Sequence, residues 1–346
     1  MSGPVLVTGA DDHIGGWIVA ELIGHGHRVR AVVGDSTRSD GLRAAIARIG
    51  DSPDQLEIAA VALSSDDGWD AALAGVDIVV HAAAGGAASG PGGPDGIVEA
   101  DVVERVVGGT RRLFGAAGEA GVRRVVMTSA VGAARPQTVV DDSPTDESVW
   151  TAIDLDLRDD AIPGRLLAAI AERAAWEFAE RPGTPELVTI LPGAVLGPVL
   201  SSEAVGATGV IGQMLAGKAP RIPAIGVEVT DVRDLATVHL RALTAPEAAG
   251  SRFLVTGEFL WLREIAETLR ERLGADADQV STKGMPDRLI RLLGRRTPAV
   301  ASVLPLLGRR IRHDPSRARD TLGWEPRPAR DTVEDCATSL IEFGIR

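Results

Sequence analysis

The start of the chain runs in the order strand, glycine turn, helix and strand, and this order constrains the fold more than any other feature. An apolar run, Val5–Thr8, ends at Gly9, and a second apolar run occupies Val29–Val33. Between the two runs, apolar residues recur at helical spacing from Ile14 to Leu22. The pattern predicts a βαβ unit, in which the two strands are parallel and the helix connects them.

Short apolar runs continue to alternate with helical patterns as far as Leu196. The further predicted strands are Leu56–Val61, Asp77–His81, Val125–Thr128 and Leu187–Leu191. The alternation predicts an α/β fold with a Rossmann-like, doubly wound parallel sheet in residues 1–196, whose ligands bind at the carboxyl ends of the strands. Residues 197–346 are predicted to form a smaller, mixed substrate-binding lobe, from which about 225–257 returns to the Rossmann-like domain.

The composition limits the partners. The net charge of −12 argues against nucleic acid or an anionic membrane as a partner, because both are negatively charged and bind positively charged proteins. The single cysteine, Cys336, excludes a disulfide within the chain and a multi-cysteine zinc site. No pair of a histidine with an aspartate or glutamate has a metal-ligand spacing such as HExxH, so no metal is predicted. The chain has no apolar run of roughly 18 residues, and its first strand begins near Pro4, so we expect a cytoplasmic protein without a membrane span or a signal peptide.

Seven segments of the chain carry a family resemblance. They are VTGADDHIGGWIVAELIGHGHRVRAVV, AGVDIVVHAAA, VVGGTRRLFGAAGEAGVRRVVMTSA, AERAAWEF, LPGAVLGPVL, DVRDLATVHLRAL and LGWEPRP. In this order they resemble the extended short-chain dehydrogenase/reductases, in the branch of dihydroflavonol reductases and bacterial aldehyde reductases. The resemblance implies reduction of a carbonyl group with NADPH, and it suggests a homodimer.

The resemblance also implies three catalytic residues. A tyrosine protonates the substrate oxygen, a lysine four residues later lowers the pKa of that tyrosine and holds the ribose, and a serine after the fifth strand binds the same oxygen. The chain has no tyrosine. With Glu172 as the glutamate of the AER element, the family positions of serine, tyrosine and lysine are Ala130, Gly164 and Ala168. Thr128 and Ser129 lie just before the serine position.

Three positions of the predicted cofactor site also differ from the family pattern. The first and last glycines of the family turn match Gly9 and Gly15. The middle glycine is Asp12, which adds a side chain and a negative charge where the pyrophosphate approaches the backbone. The arginine of NADPH users corresponds to Gly34, and the adenine-binding aspartate corresponds to Ala62. Together with the catalytic positions, these departures predict the loss of hydride transfer.

The acidic turn leaves three alternatives open. Asp11 or Asp12 can cap the helix that begins near Ile14 and so fill the anion site from within. A carboxylate can instead face a redesigned pocket together with His13. As a third alternative, a shifted loop still binds the cofactor.

The main prediction is a cofactor-independent catalyst, which acts as a cyclase, dehydratase, isomerase or lyase on a small hydrophobic substrate such as a specialised metabolite. No cofactor is favoured, and Thr8, Gly9 and Gly15 are interpreted as a remnant of the cofactor motif. The predicted catalytic residues are Asp12, His13, His81, Thr128, Ser129 and Asp154. One alternative is an NAD(P)H-dependent carbonyl reductase with a substitute proton donor, which would use NADP or NAD. The other is a non-catalytic binding protein.

Overall fold

The computed structural model of the protein describes residues 3–34, 38–50, 53–82, 97–136, 143–153, 161–202, 206–295 and 297–345. Within these ranges the strands are β1 Val5–Thr8, β2 Val29–Val33, β3 Leu56–Ala60, β4 Ile78–His81, β5 Ile97–Glu99, β6 Arg124–Thr128, β7 Ala161–Pro163, β8 Glu186–Pro192, β9 Ala194–Leu196, β10 Gly226–Asp231, β11 Ser251–Val255 and β12 Phe259–Trp261. The α-helices are α1 His13–Gly24, α2 Ser39–Arg48, α3 Trp69–Leu73, α4 Ala100–Glu119, α5 Gly164–Ala179, α6 Gly209–Leu215, α7 Val232–Ala242, α8 Leu262–Leu273, α9 Asp287–Gly294, α10 Pro298–Val303, α11 Ser316–Leu322 and α12 Ala329–Glu342. Short 3-10 helices lie at Pro53–Gln55, Val131–Ala134, Gly206–Thr208, Pro246–Ala248, Gly274–Ala277 and Leu304–Leu306.

A seven-stranded parallel sheet forms the centre of the fold, with the strand order β11-β8-β6-β4-β1-β2-β3. β1 pairs with β2 on one side and with β4 on the other, where Thr8 lies opposite His81. Helices α1 and α7 cover one face, and helices α4 and α5 cover the other. All four residues of β1 are buried, as expected for a parallel strand covered on both faces. The predicted Rossmann-like, doubly wound α/β fold is confirmed.

Residues after Leu196 contribute to two sheets. β11 pairs with β8 in the central sheet, whereas β10 pairs with β9 and β12 in a separate three-stranded sheet. Helices α6, α8 and α12 share a second hydrophobic core beside this small sheet. The domain boundary at residue 196 stays a prediction. Among the described helices, none is both long enough and apolar enough to cross a membrane.

The turn between β1 and α1 brings backbone atoms into close contact. Gly9 has a φ of 65°, which lies in the left-handed region that favours glycine. A Cβ atom on Gly15 would lie 2.0 Å from the carbonyl oxygen of Gly9. The first turn of α1 therefore packs directly against the end of β1, at a separation that only glycine permits.

Gly15→Ala tests this contact, and Gly16→Ala is its matched control. The methyl group added at Gly15 must displace the backbone of the turn, so we expect the free energy of unfolding to fall by about 1–3 kcal/mol or more. A Cβ atom on Gly16 would lie 3.4 Å from Cδ1 of Leu200, which is an ordinary contact. Gly16→Ala should therefore stay within about 1 kcal/mol of the wild type, since alanine has the higher helix propensity. Urea denaturation followed by circular dichroism measures both values, and equal stability of the two variants would contradict the tight contact.

Candidate functional site

The carboxyl ends of β1, β4 and β6 lie side by side in the central sheet, and they carry most of the predicted catalytic residues. These are Asp12 and His13 after β1, His81 at the end of β4, and Thr128 and Ser129 at the end of β6. Asp154 lies outside the described residues. The other five share one edge of the sheet, but their hydrogen bonds differ.

His81 is held by hydrogen bonds at both ring nitrogens. The hydroxyl of Thr110 donates to the carbonyl oxygen of Val106, so it accepts from Nε2 of His81 at 3.2 Å. Nδ1 of His81 then accepts from the hydroxyl of Thr8 at 2.8 Å. Burial lowers the pKa of His81 to about 4, so the ring is neutral at pH 7. Contrary to the prediction, His81 has no ring nitrogen left for a substrate, because one nitrogen is bonded to β1 and the other to α4.

Thr128 is also bonded within the core. Its hydroxyl lies 2.8 Å from Nε2 of His239, and Nδ1 of His239 lies 2.9 Å from the carbonyl oxygen of Leu235. Because a carbonyl oxygen only accepts, Nδ1 carries the proton and Nε2 accepts from Thr128. Burial lowers the pKa of His239 to about 4, which keeps this ring neutral. The hydroxyl of Thr128 therefore donates its hydrogen bond within the protein, from β6 to His239 on α7.

Ser129 belongs to a buried charged network. Its hydroxyl donates to Oε2 of Glu172 at 2.8 Å, and the hydroxyl of Thr189 donates to Oε1 at 2.7 Å. The guanidinium group of Arg252 donates to the same carboxylate at 2.8 Å and stacks over the ring of Trp150. Each buried charge thus has an opposite charge and several hydrogen bonds, which offset its loss of hydration. The network fixes Ser129 beside the family's serine position.

The helix α1 begins without a side-chain cap. Asp12 occupies the N-cap position in an extended conformation, and its carbonyl oxygen accepts from the backbone N–H of Gly16 at 2.8 Å. The carboxylate of Asp12 makes no capping hydrogen bond. The interpretation that Asp12 fills the anion site from within is therefore wrong. The N–H groups of the first turn stay available for an external anion.

Asp12 has an unusual protonation equilibrium. Its pKa is raised from 3.8 to about 6, because burial and the negative charge of Asp11 raise it more than the positive charge of Arg38 lowers it. Asp11 itself forms an ion pair with Arg38, in which the nitrogen and oxygen atoms are 2.8 Å apart. The acidic turn is thus partly neutralised by a cation from the next strand–helix connection.

Arg38 is a residue that the sequence analysis missed. It lies at the N-cap position of α2, four residues beyond Gly34, and Gly34 is the position that the resemblance assigns to the arginine of NADPH users. About half of its side chain is exposed, at 49%. An arginine at any position of the connection between β2 and α2 would have indicated such a residue, because this connection lies beside the glycine turn.

His13 is the first residue of α1, and it is buried with 5% of its surface exposed. Neither ring nitrogen has a hydrogen-bond partner among the described residues. Burial lowers the pKa of His13 to about 4, although the charge of Asp231 opposes this shift. The neutral ring has one donor and one acceptor, and leaving both unpaired is costly in a folded protein. The first turn of α1 therefore contains a buried polar group without a hydrogen-bond partner among the described residues.

Comparisons with known proteins identify the family. Residues 9–157 match the family model described as NAD(P)H-binding. Cinnamoyl-CoA reductase 1 of Oryza sativa subsp. japonica is 31% identical over 268 residues, which cover 77% of this chain and 75% of that protein. The chain belongs to the extended short-chain dehydrogenase/reductase family. The predicted resemblance is confirmed.

Further relatives of this short-chain dehydrogenase/reductase span the whole chain. Tetraketide alpha-pyrone reductase 1 of Arabidopsis thaliana is 25% identical, and the match covers 99% of this chain and 96% of that protein. The crystal structure of yeast methylglyoxal/isovaleraldehyde reductase Gre2 complexed with NADPH superposes with a TM-score of 0.76 at 21% identity, over 99% of both chains. This structural similarity supports the fold.

Two predictions from the sequence are wrong for this short-chain dehydrogenase/reductase. The prediction of a non-redox catalyst is contradicted by the relatives, which are reductases by name. The prediction that no cofactor is favoured is contradicted by the NAD(P)H-binding match, which begins at Gly9 and so includes the acidic turn. The error about the cofactor has a physical reason: the departures at Asp12, Gly34 and Ala62 concern side chains, whereas a pyrophosphate is held mainly by backbone N–H groups at a helix N-terminus.

Asp12→Asn tests the electrostatics of the turn. The pKa of Asp12 is higher in the folded protein, at about 6, than its ordinary value of 3.8, so the folded state binds more protons between these pH values. The free energy of unfolding therefore decreases as the pH rises through this window, and the loss is complete above it. We expect Asp12→Asn to stabilise the protein by about 1–3 kcal/mol at pH 8 and by much less at pH 4.

Urea denaturation at the two pH values measures this difference. The control is Asp320→Asn, on the exposed surface of α11. This variant should change the free energy of unfolding only slightly, and by the same amount at pH 4 and at pH 8. A stabilisation by Asp12→Asn that is independent of pH would contradict the raised pKa.

Proposed function

We propose that this protein binds NADPH and reduces a carbonyl group of a small hydrophobic molecule. The observation that carries the proposal is the uncapped N-terminus of α1 in the glycine turn, beside a buried histidine without partners among the described residues. Family membership supports the redox chemistry, since the relatives include cinnamoyl-CoA, tetraketide alpha-pyrone and dihydroflavonol reductases.

The residues of the turn fit the pyrophosphate of the cofactor. Gly9 and Gly15 let the chain turn tightly from β1 into α1, so the first N–H groups of the helix lie at the carboxyl edge of the sheet. The helix dipole adds a partial positive charge at this end, which stabilises an anion by about 0.3–1 kcal/mol at an exposed site. In this proposal, Thr8 positions the turn through its bond to His81, and His13 begins the helix whose N–H groups hold the pyrophosphate.

Arg38 fits the additional phosphate that distinguishes NADPH from NADH. A guanidinium group presents several N–H donors in a fixed plane and is charged at every physiological pH, so it suits a phosphate dianion. The side chain is half exposed, and one of its partners, Asp11, lies in the glycine turn. A bound phosphate would replace that carboxylate as the partner of Arg38.

Asp12 opposes binding of the cofactor at neutral pH. Its carboxylate is placed where the pyrophosphate of relatives approaches the turn, and like charges repel at such short range. The raised pKa reduces this repulsion, because the carboxyl group becomes neutral below about pH 6. The affinity for NADPH is therefore expected to increase as the pH falls towards 5.

The nicotinamide supplies the hydride when the cofactor is bound, and the protein must stabilise the negative charge that develops on the substrate oxygen. Because the chain has no tyrosine, water delivers the proton that completes the alcohol in this proposal. Ser129 is the hydroxyl nearest to the family's serine position, and we assign it to hold the substrate oxygen. Glu172 keeps this hydroxyl in place through the 2.8 Å hydrogen bond, which Ser129 exchanges for one to the substrate.

Arg38→Gln tests the choice of cofactor. Loss of a charged hydrogen bond to the 2′-phosphate costs about 1.5–3 kcal/mol, so the affinity for NADPH should fall by about tenfold or more, while the affinity for NADH stays unchanged. Isothermal titration calorimetry of both nucleotides measures the change. Arg111→Gln, an exposed arginine on α4, is the matched control and should change neither affinity. An equal loss for both nucleotides would contradict the assignment.

A spectrophotometric assay of NADPH oxidation tests the reaction itself. With cinnamoyl-CoA, a tetraketide α-pyrone and a dihydroflavonol as probes, we expect one NADPH to be consumed for each alcohol or aldehyde formed with at least one probe. Ser129→Ala should lower kcat by about tenfold or more and leave the Kd of NADPH unchanged, since the serine acts only on the substrate oxygen. Tight NADPH binding without oxidation by these probes or by simple aldehydes would contradict the reductase function.

A further inference from the structure

The charge of this protein is divided very unevenly along the chain. Residues 283–312 contain eight lysine and arginine residues and one aspartate, so this segment carries a net charge of +7. Because the whole chain carries −12, the remaining residues carry −19. A segment of opposite sign in an acidic protein predicts a local interaction that the net charge conceals.

The same segment exposes apolar side chains. Three of the five large apolar side chains that are exposed among the described residues lie on one helix, α9. They are Leu289 at 40%, Leu292 at 53% and Leu293 at 41%. The helix α9 is anchored to the protein by Ile290, which is buried with Ile225 and Leu307 in a small satellite core. The helix is therefore fixed to the protein through Ile290, while three of its leucines stay exposed to solvent.

The cations around these leucines are unpaired within the described ranges of the chain. Arg288, Arg291 and Arg295 are interleaved with the leucines and are exposed. In the part of the chain that the structure describes, none of the three forms an ion pair or a side-chain hydrogen bond. Exposed arginines on another helix do have partners, such as Arg263 with Glu267 and Arg272 with Glu334.

We infer that α9 docks on an anionic lipid surface. An interfacial helix lies in the membrane plane, with its apolar side chains at the boundary of the acyl chains and its basic side chains at the headgroups. A second copy of the chain fits less well, because a twofold interface would place the two basic segments against each other. Nucleic acid would pair with the arginines, but it would leave the exposed leucines in contact with water.

Charge complementarity accounts for the expected strength. Each basic side chain near an anionic leaflet contributes about 1 kcal/mol, which corresponds to roughly a fivefold change in affinity. The acidic remainder of the protein opposes docking only weakly, since salt screens charges beyond about 8–10 Å. Eight residues of helix extend about 12 Å, so the contact is small and docking is reversible and sensitive to salt.

Vesicle sedimentation tests the inference. The full-length protein is mixed with vesicles of phosphatidylcholine alone or of equal parts phosphatidylcholine and phosphatidylglycerol. We expect the protein to sediment with the anionic vesicles at low ionic strength, to be released at roughly 0.5 M salt, and to stay unbound with phosphatidylcholine alone. Absence of binding to the anionic vesicles at low ionic strength would overturn the inference.

Two triple variants separate the contributions of charge and apolar contact. Arg288→Gln/Arg291→Gln/Arg295→Gln and Leu289→Gln/Leu292→Gln/Leu293→Gln should each weaken vesicle binding by at least about tenfold. The matched controls change exposed residues elsewhere, and they are Arg111→Gln/Arg123→Gln/Arg181→Gln and Ile49→Gln/Val210→Gln. The controls should bind like the wild type. Equal binding by the triple variants and the controls would overturn the inference.

Two further measurements distinguish lipid docking from unfolding of the variants and from dimerisation. All variants should keep the melting temperature of the wild type within a few degrees, because only exposed side chains are changed. Analytical ultracentrifugation without lipid should give the same mass for the wild type and the leucine variant, whereas dissociation of a dimer would assign the surface to a second copy and overturn the inference. The docking does not depend on the proposed reductase function, since calorimetry of NADPH with these variants reports the nucleotide site separately.

Discussion

The contact between Gly15 and the carbonyl oxygen of Gly9 determines where α1 begins, and the candidate site is arranged around it. No side chain fits at this separation, so the helix starts directly above the end of β1. β1 lies in the middle of the sheet, and its neighbours β2 and β4 bring Arg38 and His81 to the same edge. A single close approach of backbone to backbone thus places an uncapped helix N-terminus where a dinucleotide binds in doubly wound folds.

Burial of the strand ends explains why most of the polar residues near this edge are not free. A hydroxyl or an imidazole in a water-free environment must find a partner, and each of three groups finds one on a neighbouring helix. His81 bonds to α4, Thr128 bonds to α7, and Ser129 bonds to Glu172 on α5. His13 differs from these three, because neither of its nitrogens has a partner among the described residues. The unsatisfied group is the first residue of α1, in the glycine turn.

Two regions of this protein have local charge properties that its net charge does not reveal. In the turn, Asp11 and Arg38 pair while the burial of Asp12 raises its pKa, so the acidic motif repels an anion less than its two charges suggest. In residues 283–312, a basic segment stands out from an acidic chain. The net charge of −12 predicts neither feature. Salt screens electrostatic interactions beyond about 10 Å, so each region responds only to the charges near it.

The sequence by itself determined the fold and the family. The apolar runs at Val5–Thr8 and Val29–Val33 and the helical spacing between them depend on local periodicity, and the structure has strands and a helix at these positions. The chemistry of the site was less accessible. The sequence leaves open whether Asp11 or Asp12 caps the helix, because the spacing of residues does not show whether a carboxylate turns back to the backbone. The side-chain departures wrongly predict the loss of the cofactor.

Only the tertiary structure decided which polar groups are already paired and which are free. His81, Thr128 and Ser129 have partners 29, 111 and 43 residues away in the chain, and Arg38 meets Asp11 across 27 residues. Such contacts join elements that are adjacent in space and distant in sequence, so no local pattern predicts them. Periodicity is a property of neighbouring residues and survives in the sequence, whereas hydrogen-bond partnership and burial are properties of the packed molecule.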